Sequence, residues 1–419
     1  MRAALLLALL ILPAPVFAGD AWPQFRGPAG DGTSDSTRLP VTWSETENVI
    51  WKTPIHGRGW SSPVIWGDQI WMTTATEDGK QMFAVCVDRQ TGRILHDIKL
   101  FDVENPREIH QLNSYASPTP VIEEGRVYIH FGSYGTACLG TTSGEVLWSR
   151  RDLPCDHFRG PGSSPILFED TMIVHYDGFD YQYVVALDKQ TGETVWKRDR
   201  DIEYGTDNGD FMKAYSTPQI IEAAGKLQMI SATSKAAISY DPRTGEEIWR
   251  IHYPEFSATA RPLFGEGLVF INTGFGKADL YAVRPDGTGD VTDSHVAWVC
   301  KRSVPSKPSQ LLVDGLLYMV HDAGVASCLD AKTGESVWTQ RLGGNFSASP
   351  LAADGKLYFL SHDGDVTVVK AGRDYQVLAI NRLDDGFMSS PAVSGRALYV
   401  RTRSHVYRIE QPADVASGG

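Results

Sequence analysis

Five cationic side chains, Arg58, Arg159, Lys213, Arg261 and Lys307, stand in short variable segments spread through the chain. Drawn together they would surround an anionic group. His110 and His157, in short variable segments of the same kind, could exchange protons near neutral pH. Trp60, Tyr115, Tyr215 and Phe346 share these segments and could stack on a flat ligand or on a partner's side chains. One segment, TDNGD at 206–210, spaces Asp207, Asn208 and Asp210 so that their oxygens could feed a calcium ion, although turn formation accounts for the same residues. It lacks the bidentate Glu of a complete calcium loop, since the next Glu is Glu222. A second acidic loop, LDDGFM at 383–388, contributes Asp385. No serine is marked as activated, so no Ser-His-Asp or Cys-His set can be assigned. Nor does a glycine-rich phosphate loop join a strand to a helix.

What could bring such scattered residues to one place is a repeat. ALDKQTGETVW at 186–196 returns as CLGTTSGEVLW at 138–148, SYDPRTGEEIW at 239–249 and CLDAKTGESVW at 328–338, with a weaker copy, CVDRQTGRILH, at 86–96. Before each copy comes a small-residue and proline cluster opening an apolar strand: SSPVIWGDQIW at 61–71, PTPVIEEGRVY at 118–128, SSPILFEDTMI at 163–173, ARPLFGEGLVF at 260–270, SASPLAADGKLY at 347–358 and SSPAVSGRALY at 389–399. STPQIIEAAGKL at 216–227 and PSQLLVDGLLY at 308–318 are looser members. Each unit holds four short strands separated by turn residues, and helical periodicity is absent. This predicts an all-β chain folded as an eight-bladed β-propeller, or seven-bladed if one unit is miscounted.

In the recurring element the Asp would accept backbone N–H bonds within a turn, and the Gly would supply a positive φ. The terminal tryptophans, Trp51, Trp148, Trp196, Trp249, Trp298 and Trp338, are expected on outer strands, covering the seam to the next blade. The last unit supplies only three strands, so ENVIWKTPI at 47–55 is expected to complete it and close the ring. The expected divisions are a leader at 1–18, an N-terminal arm at 19–46, one propeller domain at 47–410 and a tail at 411–419. In a propeller, the segments preceding the innermost strands converge on one mouth of the central channel, which would gather the candidate residues.

Residues 1–18, MRAALLLALLILPAPVFA, read as a secretory signal peptide cleaved after Ala18, which predicts a periplasmic or secreted protein. No other segment approaches membrane-spanning length, and no cysteine stands at the mature N-terminus for a lipid. A net charge of -12 argues against nucleic acid or an anionic membrane as partner. Of five cysteines, Cys86, Cys138 and Cys328 occupy one repeat position shared with Ala186, Ser239 and Ala282, and are read, with Cys155 and Cys300, as free thiols. A monomer is expected.

The repeated Asp-x-x-Thr-Gly-x-x-x-Trp elements, together with the opening WPQFRGPAGDG, resemble the pyrroloquinoline quinone (PQQ)-like propeller family, from Trp22 to about Glu410. That family contains quinoprotein alcohol dehydrogenases, which hold PQQ with calcium and use an aspartate base. The resemblance therefore implies PQQ and calcium as cofactors, with Asp207, Asp210 or Asp385 as the sort of residue that would serve as base or calcium ligand. This chain lacks the adjacent cysteines that typically clamp the quinone, and it lacks a Cys-x-x-Cys-His haem site. The family also contains non-enzymatic periplasmic propellers that hold partners. The expectation is a binding or scaffold module for a cell-envelope protein or a small ligand at the channel mouth, with a PQQ-dependent dehydrogenase as the alternative.

Overall fold

The computed structural model describes residues 20–411, and the expected leader and most of the tail lie outside them. Eight antiparallel sheets follow one another around a ring. Their innermost strands are Val64–Trp66, Val121–Glu123, Ile166–Phe168, Gln219–Ala223, Leu263–Gly265, Leu311–Val313, Leu351–Ala353 and Ala392–Ser394, numbered here as blades 1 to 8. The outermost strand of blade 8 is Val49–Pro54, which pairs antiparallel with His405–Glu410. The first long strand thus completes the last blade, as the three-stranded final unit required. Among the described residues no helix is long and apolar enough to cross a membrane.

Sequence dictates how adjacent blades join. In blade 3, Asp188 Oδ1 accepts the backbone N–H groups of Gln190 and Thr191, both at 2.8 Å, which fixes the turn. Gly192 follows with φ of 75°. A side chain there would meet a second obstacle besides strain, because a Cβ would lie 2.6 Å from the indole of Trp148 in blade 2. Trp196 in turn lies over Gly245 of blade 4, Trp298 over Gly334, and Trp51 over Gly92. Several indole N–H groups also donate to a carbonyl of the next blade, Trp148 to Lys189 O at 2.9 Å and Trp196 to Pro242 O at 3.2 Å. Glycine is therefore needed twice over, for its φ and for the space the neighbour's ring takes.

Three seams depart from the pattern. Blade 1 carries His96 at the tryptophan position, opposite Cys86, and its ring lies beside Gly144 of blade 2. Trp249 is fully buried and donates to Gln228 Oε1 within its own blade (2.7 Å), while the expanded turn of blade 5 lays Gly289–Asp290 alongside it as a parallel fifth strand. Blade 7 carries Ala379 at the tryptophan position, opposite Val368. There Trp43 of the N-terminal arm stacks on Tyr358 at 6.3 Å, at the place where Trp148 packs tilted against Tyr128 at 6.1 Å and Trp338 against Tyr318 at 5.9 Å. The arm thus supplies the indole that blade 7 lacks.

The rest of the arm crosses one face of the ring. Trp22 exchanges backbone hydrogen bonds with Ile65 of blade 1, Pro23 O accepts Ile122 N–H of blade 2, and Ala29 O accepts Gln219 Nε2 of blade 4. Phe25 O accepts Arg261 of blade 5, Arg26 donates to Gln310 O and Pro350 O of blades 6 and 7, and Gly32 O accepts Ala352 N–H. Each of these contacts lies at or beside an innermost strand, so the arm closes one end of the channel. All five cysteines are free thiols, three of them, Cys86, Cys138 and Cys328, at the shared repeat position.

Trp196→Ala should lower stability by about 3–5 kcal/mol, as truncation of a buried aromatic does. Gly245→Ala, which puts a methyl group into that indole, should cost about 1 kcal/mol or more. Thermal unfolding checks both, and an unchanged midpoint for either would refute the seam assignment.

Candidate functional site

The residues just before each innermost strand form two stacked rings. The lower ring is Ser62, Thr119, Ser164, Thr217, Arg261, Ser309, Ser349 and Ser390, one from each blade. In every blade but the sixth the next residue is proline, which holds its predecessor extended. Each hydroxyl accepts the backbone N–H of its counterpart in the preceding blade: Ser62 N to Thr119 Oγ1, Thr119 N to Ser164 Oγ and Ser164 N to Thr217 Oγ1, at 2.9 to 3.0 Å. The series continues from Arg261 N to Ser309, Ser309 N to Ser349, Ser349 N to Ser390 and Ser390 N to Ser62, again at 2.9 to 3.0 Å. Only the seam from blade 4 to blade 5 lacks this link, because Arg261 has no hydroxyl.

Two positions earlier in each blade stands a second, varied ring: Trp60, Ser117, Gly162, Tyr215, Thr259, Lys307, Ser347 and Met388. Both rings line a chamber of about 760 Å³ whose floor includes Phe25 of the arm. Its aromatic walls are backed by cations. The Arg58 guanidinium lies 5.1 Å from the Trp60 ring and donates to Gln111 O and Asn113 O, while the Lys213 ammonium lies 4.9 Å from the Tyr215 ring.

Above the rings, loops supply the mouth. Arg159, in the left-handed region at φ of 81°, pairs with Asp210 at 3.2 Å, and Lys307 pairs with Asp322. His110 also lines the chamber, and burial followed by the charges of Arg159, Lys307 and Lys213 lowers its pKa. On one side of the mouth three phenylalanines meet, Phe211 on Phe256 at 4.6 Å and Phe256 on Phe275 at 5.9 Å. Phe275 is 62% exposed.

With this geometry in view, comparison with known proteins is specific about the family. The PQQ-type family model described as outer membrane protein assembly factor BamB matches residues 34–198 and 180–412. The chain belongs to this family. Methanol dehydrogenase [cytochrome c] subunit 1 of Methylorubrum extorquens is 30% identical over 158 residues, which is 32% of this chain and 23% of that protein. The chain spans 23% to 49% of the length of the curated relatives it matches, the larger share being BamB of Yersinia pestis at 20% identity. Among solved structures, the quinohemoprotein alcohol dehydrogenase of Comamonas testosteroni superposes with a TM-score of 0.69 at 11% identity, covering 96% of this chain and 82% of that one. BamB of Moraxella catarrhalis superposes with a TM-score of 0.60 at 12% identity, covering 86% and 99%. At these identities the superpositions establish a common propeller.

Within this PQQ-like propeller, the chamber brings together Trp60, His110, Arg159, Asp210, Tyr215 and Lys307 from the residues singled out in the sequence. Others lie elsewhere. Tyr115 is buried between blades 1 and 2, donating to Arg107 O at 2.8 Å, and Phe346 is buried between blades 6 and 7. His157 is buried against Tyr176, and Arg261 points away from the mouth onto the arm. Asp207 and Asp385 are exposed outside the chamber. In TDNGD, Asn208 Oδ1 caps a short 3-10 turn by accepting Asp210 N–H at 3.1 Å, so the local chemistry is that of a turn. Sequence reading missed the phenylalanine cluster, His321, Asp322, the hydroxyl ring and Phe25. For the hydroxyl ring a signal was present, a Ser or Thr directly before nearly every strand-opening proline.

A calcium-held quinone needs an oxygen-rich donor set around the ion. The two carboxylates lining the chamber, Asp210 and Asp322, are each engaged by a cation on different blades. Among the described residues no three His, Cys, Asp or Glu side chains converge as a metal site. These residues do not fit that group.

Lys213 lies behind Tyr215, 1% exposed, with Tyr215 OH at 3.0 Å as its hydrogen-bond partner. Burial brings its pKa from 10.5 down to about 7. Between those values the unfolded chain binds the proton that the folded protein releases, so stability should rise with pH across that window. Relative to Lys213→Met, the wild type should gain stability from pH 7 towards pH 10.5 in denaturant titrations. A difference that is flat across this range would mean that the ammonium keeps its charge when folded.

Proposed function

We propose that this chain is an exported, non-enzymatic binding propeller whose chamber holds a small ligand entering through a single mouth. One observation carries the reading: the channel is floored by the arm and walled by a varied ring, so it is a pocket with one way in. Its volume, about 760 Å³, suits a small molecule, and its mixture of aromatic faces with a few polar groups is what such sites use. Trp60 and Tyr215, held by the cations behind them, offer preorganised stacking surfaces. The paired carboxylates favour binding over the calcium-dependent dehydrogenase reading. Export rests on the leader-like residues 1–18, with cleavage after Ala18.

A second reading has its own support. The exposed phenylalanines at the mouth could seat an apolar side chain of an envelope protein, in keeping with relatives named as an outer membrane protein assembly factor.

The test uses Nile red, a neutral dye that brightens in apolar surroundings. It should bind the mature protein saturably, and Thr259→Trp, which fills the chamber from the upper ring, should abolish the signal. Dye binding unaffected by Thr259→Trp but lost in Phe275→Ser would move the function to the outer rim. Titration with PQQ should show no dependence on added calcium, and calcium-dependent binding with dye reduction by alcohols would overturn the non-enzymatic reading.

A further inference from the structure

The lower ring has more hydrogen-bonding capacity than the fold uses. A hydroxyl is both acceptor and donor. The seven hydroxyls accept backbone N–H groups, but among the described residues none of them donates to a protein acceptor. All seven are buried, and six of them, Ser62, Thr119, Ser164, Thr217, Ser349 and Ser390, line the chamber. A ring of O–H donors therefore faces the bottom of a pocket without a protein partner.

The charge around this ring is an independent observation. Three guanidiniums, those of Arg26, Arg261 and Arg401, are 1% to 3% exposed and form no salt bridge among the described residues, with the Asp31 carboxylate of the arm acting on Arg26 and Arg261 from a distance. Each grips backbone beside a ring hydroxyl. Arg26 donates to Gln310 O and Pro350 O, next to Ser309 and Ser349; Arg261 takes the ring position of blade 5; and Arg401 donates to Ser61 O at 3.1 Å, next to Ser62. Burial lowers their pKa values to about 10, 9 and 9, which leaves all three charged at neutral pH. Buried charge is ordinarily compensated, and this is a protein of net charge -12 that sets three buried guanidiniums around one throat with the Asp31 carboxylate offsetting two of them in part. The carboxylates of the chamber, Asp210 and Asp322, sit at the mouth and are already paired.

Building on the small-ligand reading above, we propose that the throat is an oxyanion site, in which the hydroxyl ring donates to a carboxylate or phosphate group of the ligand while the rest of the ligand lies against Trp60 and Tyr215. Each ring hydroxyl accepts one backbone N–H and keeps its own O–H free to donate to a ligand, and hydrogen bonds to a charged acceptor are the strong ones. The guanidiniums supply the field, with donors of Arg26 and Arg261 held by carbonyls of the arm and of the residues beside the ring, and Arg401 Nη1 held by Ser61 and Thr73.

The test is calorimetric titration of the full mature protein with inorganic phosphate, sulfate and citrate, each against chloride. One oxyanion should bind saturably at one site per chain and raise the melting temperature. Phosphate or sulfate binding alone would identify a phosphate-like group, and citrate binding alone a carboxylate. The double variant Ser349→Ala and Ser390→Ala should weaken binding about tenfold for each lost hydrogen bond to charge. Ser349→Thr with Ser390→Thr, which keeps both O–H groups and both seam bonds, should restore it. If the alanine pair does not fold, Thr259→Trp decides, because it must exclude the anion from the chamber. Failure of every oxyanion to bind saturably, or binding that survives Thr259→Trp, would overturn the site. Nile red entering a chamber that ignores all oxyanions would refute this inference while leaving the ligand pocket standing.

Discussion

The indole of one blade lying on the glycine turn of the next is the contact on which the molecule depends. A four-stranded sheet of such short strands has too little core to be stable alone, so each blade must bury a face against its neighbours. The contact works because three residues are tuned together. Asp188 ties the turn by accepting its N–H groups, Gly192 leaves room for a foreign ring, and Trp148 fills that room while donating to Lys189 O. Where the pattern fails, other groups fill the seam: His96 stands beside Gly144, Gly289–Asp290 beside Trp249 and Trp43 beside Tyr358.

The same division between uniform and variable parts continues into the channel. The hydroxyl ring repeats because it satisfies a backbone N–H near the axis at seven of the eight seams, where no ladder partner exists. Two positions away the constraint disappears, and the ring becomes Trp60, Ser117, Gly162, Tyr215, Thr259, Lys307, Ser347 and Met388. An architecture that fixes one ring and frees the next can hold very different ligands on the same frame, which is why relatives of this family include proteins named as dehydrogenases and as an assembly factor.

The N-terminal arm does three jobs in one pass. It closes the channel floor with Phe25 held by Arg261, replaces the indole absent from blade 7, and ends as the outer strand of blade 8. Arg261 is the pivot, since the blade that gives up its ring hydroxyl gains a side chain long enough to reach the arm. In the sequence that residue looked like one more mouth cation. Its fate follows from position, as it stands in the ring register directly before Pro262, below the variable layer.

By itself the sequence determined the propeller and its closing strand, while leaving seven or eight blades open, because the strand and turn patterns repeat at a fixed spacing; of the expected docking tryptophans, Trp249 turned back into its own blade. It also determined which loops reach the mouth, since every blade delivers the same segment to the axis. Only the tertiary structure decided which side chains in those loops meet. Tyr115 and Tyr215 read alike as aromatics in mouth loops, yet one is buried between blades and the other lines the chamber. The pairing of Arg159 with Asp210 joins blades 3 and 4, and the floor joins residue 25 to residue 261, contacts with no repeat behind them. Local turn and strand chemistry is written within a few residues, whereas the depth and facing of a loop side chain depend on neighbours that only the closed ring brings together.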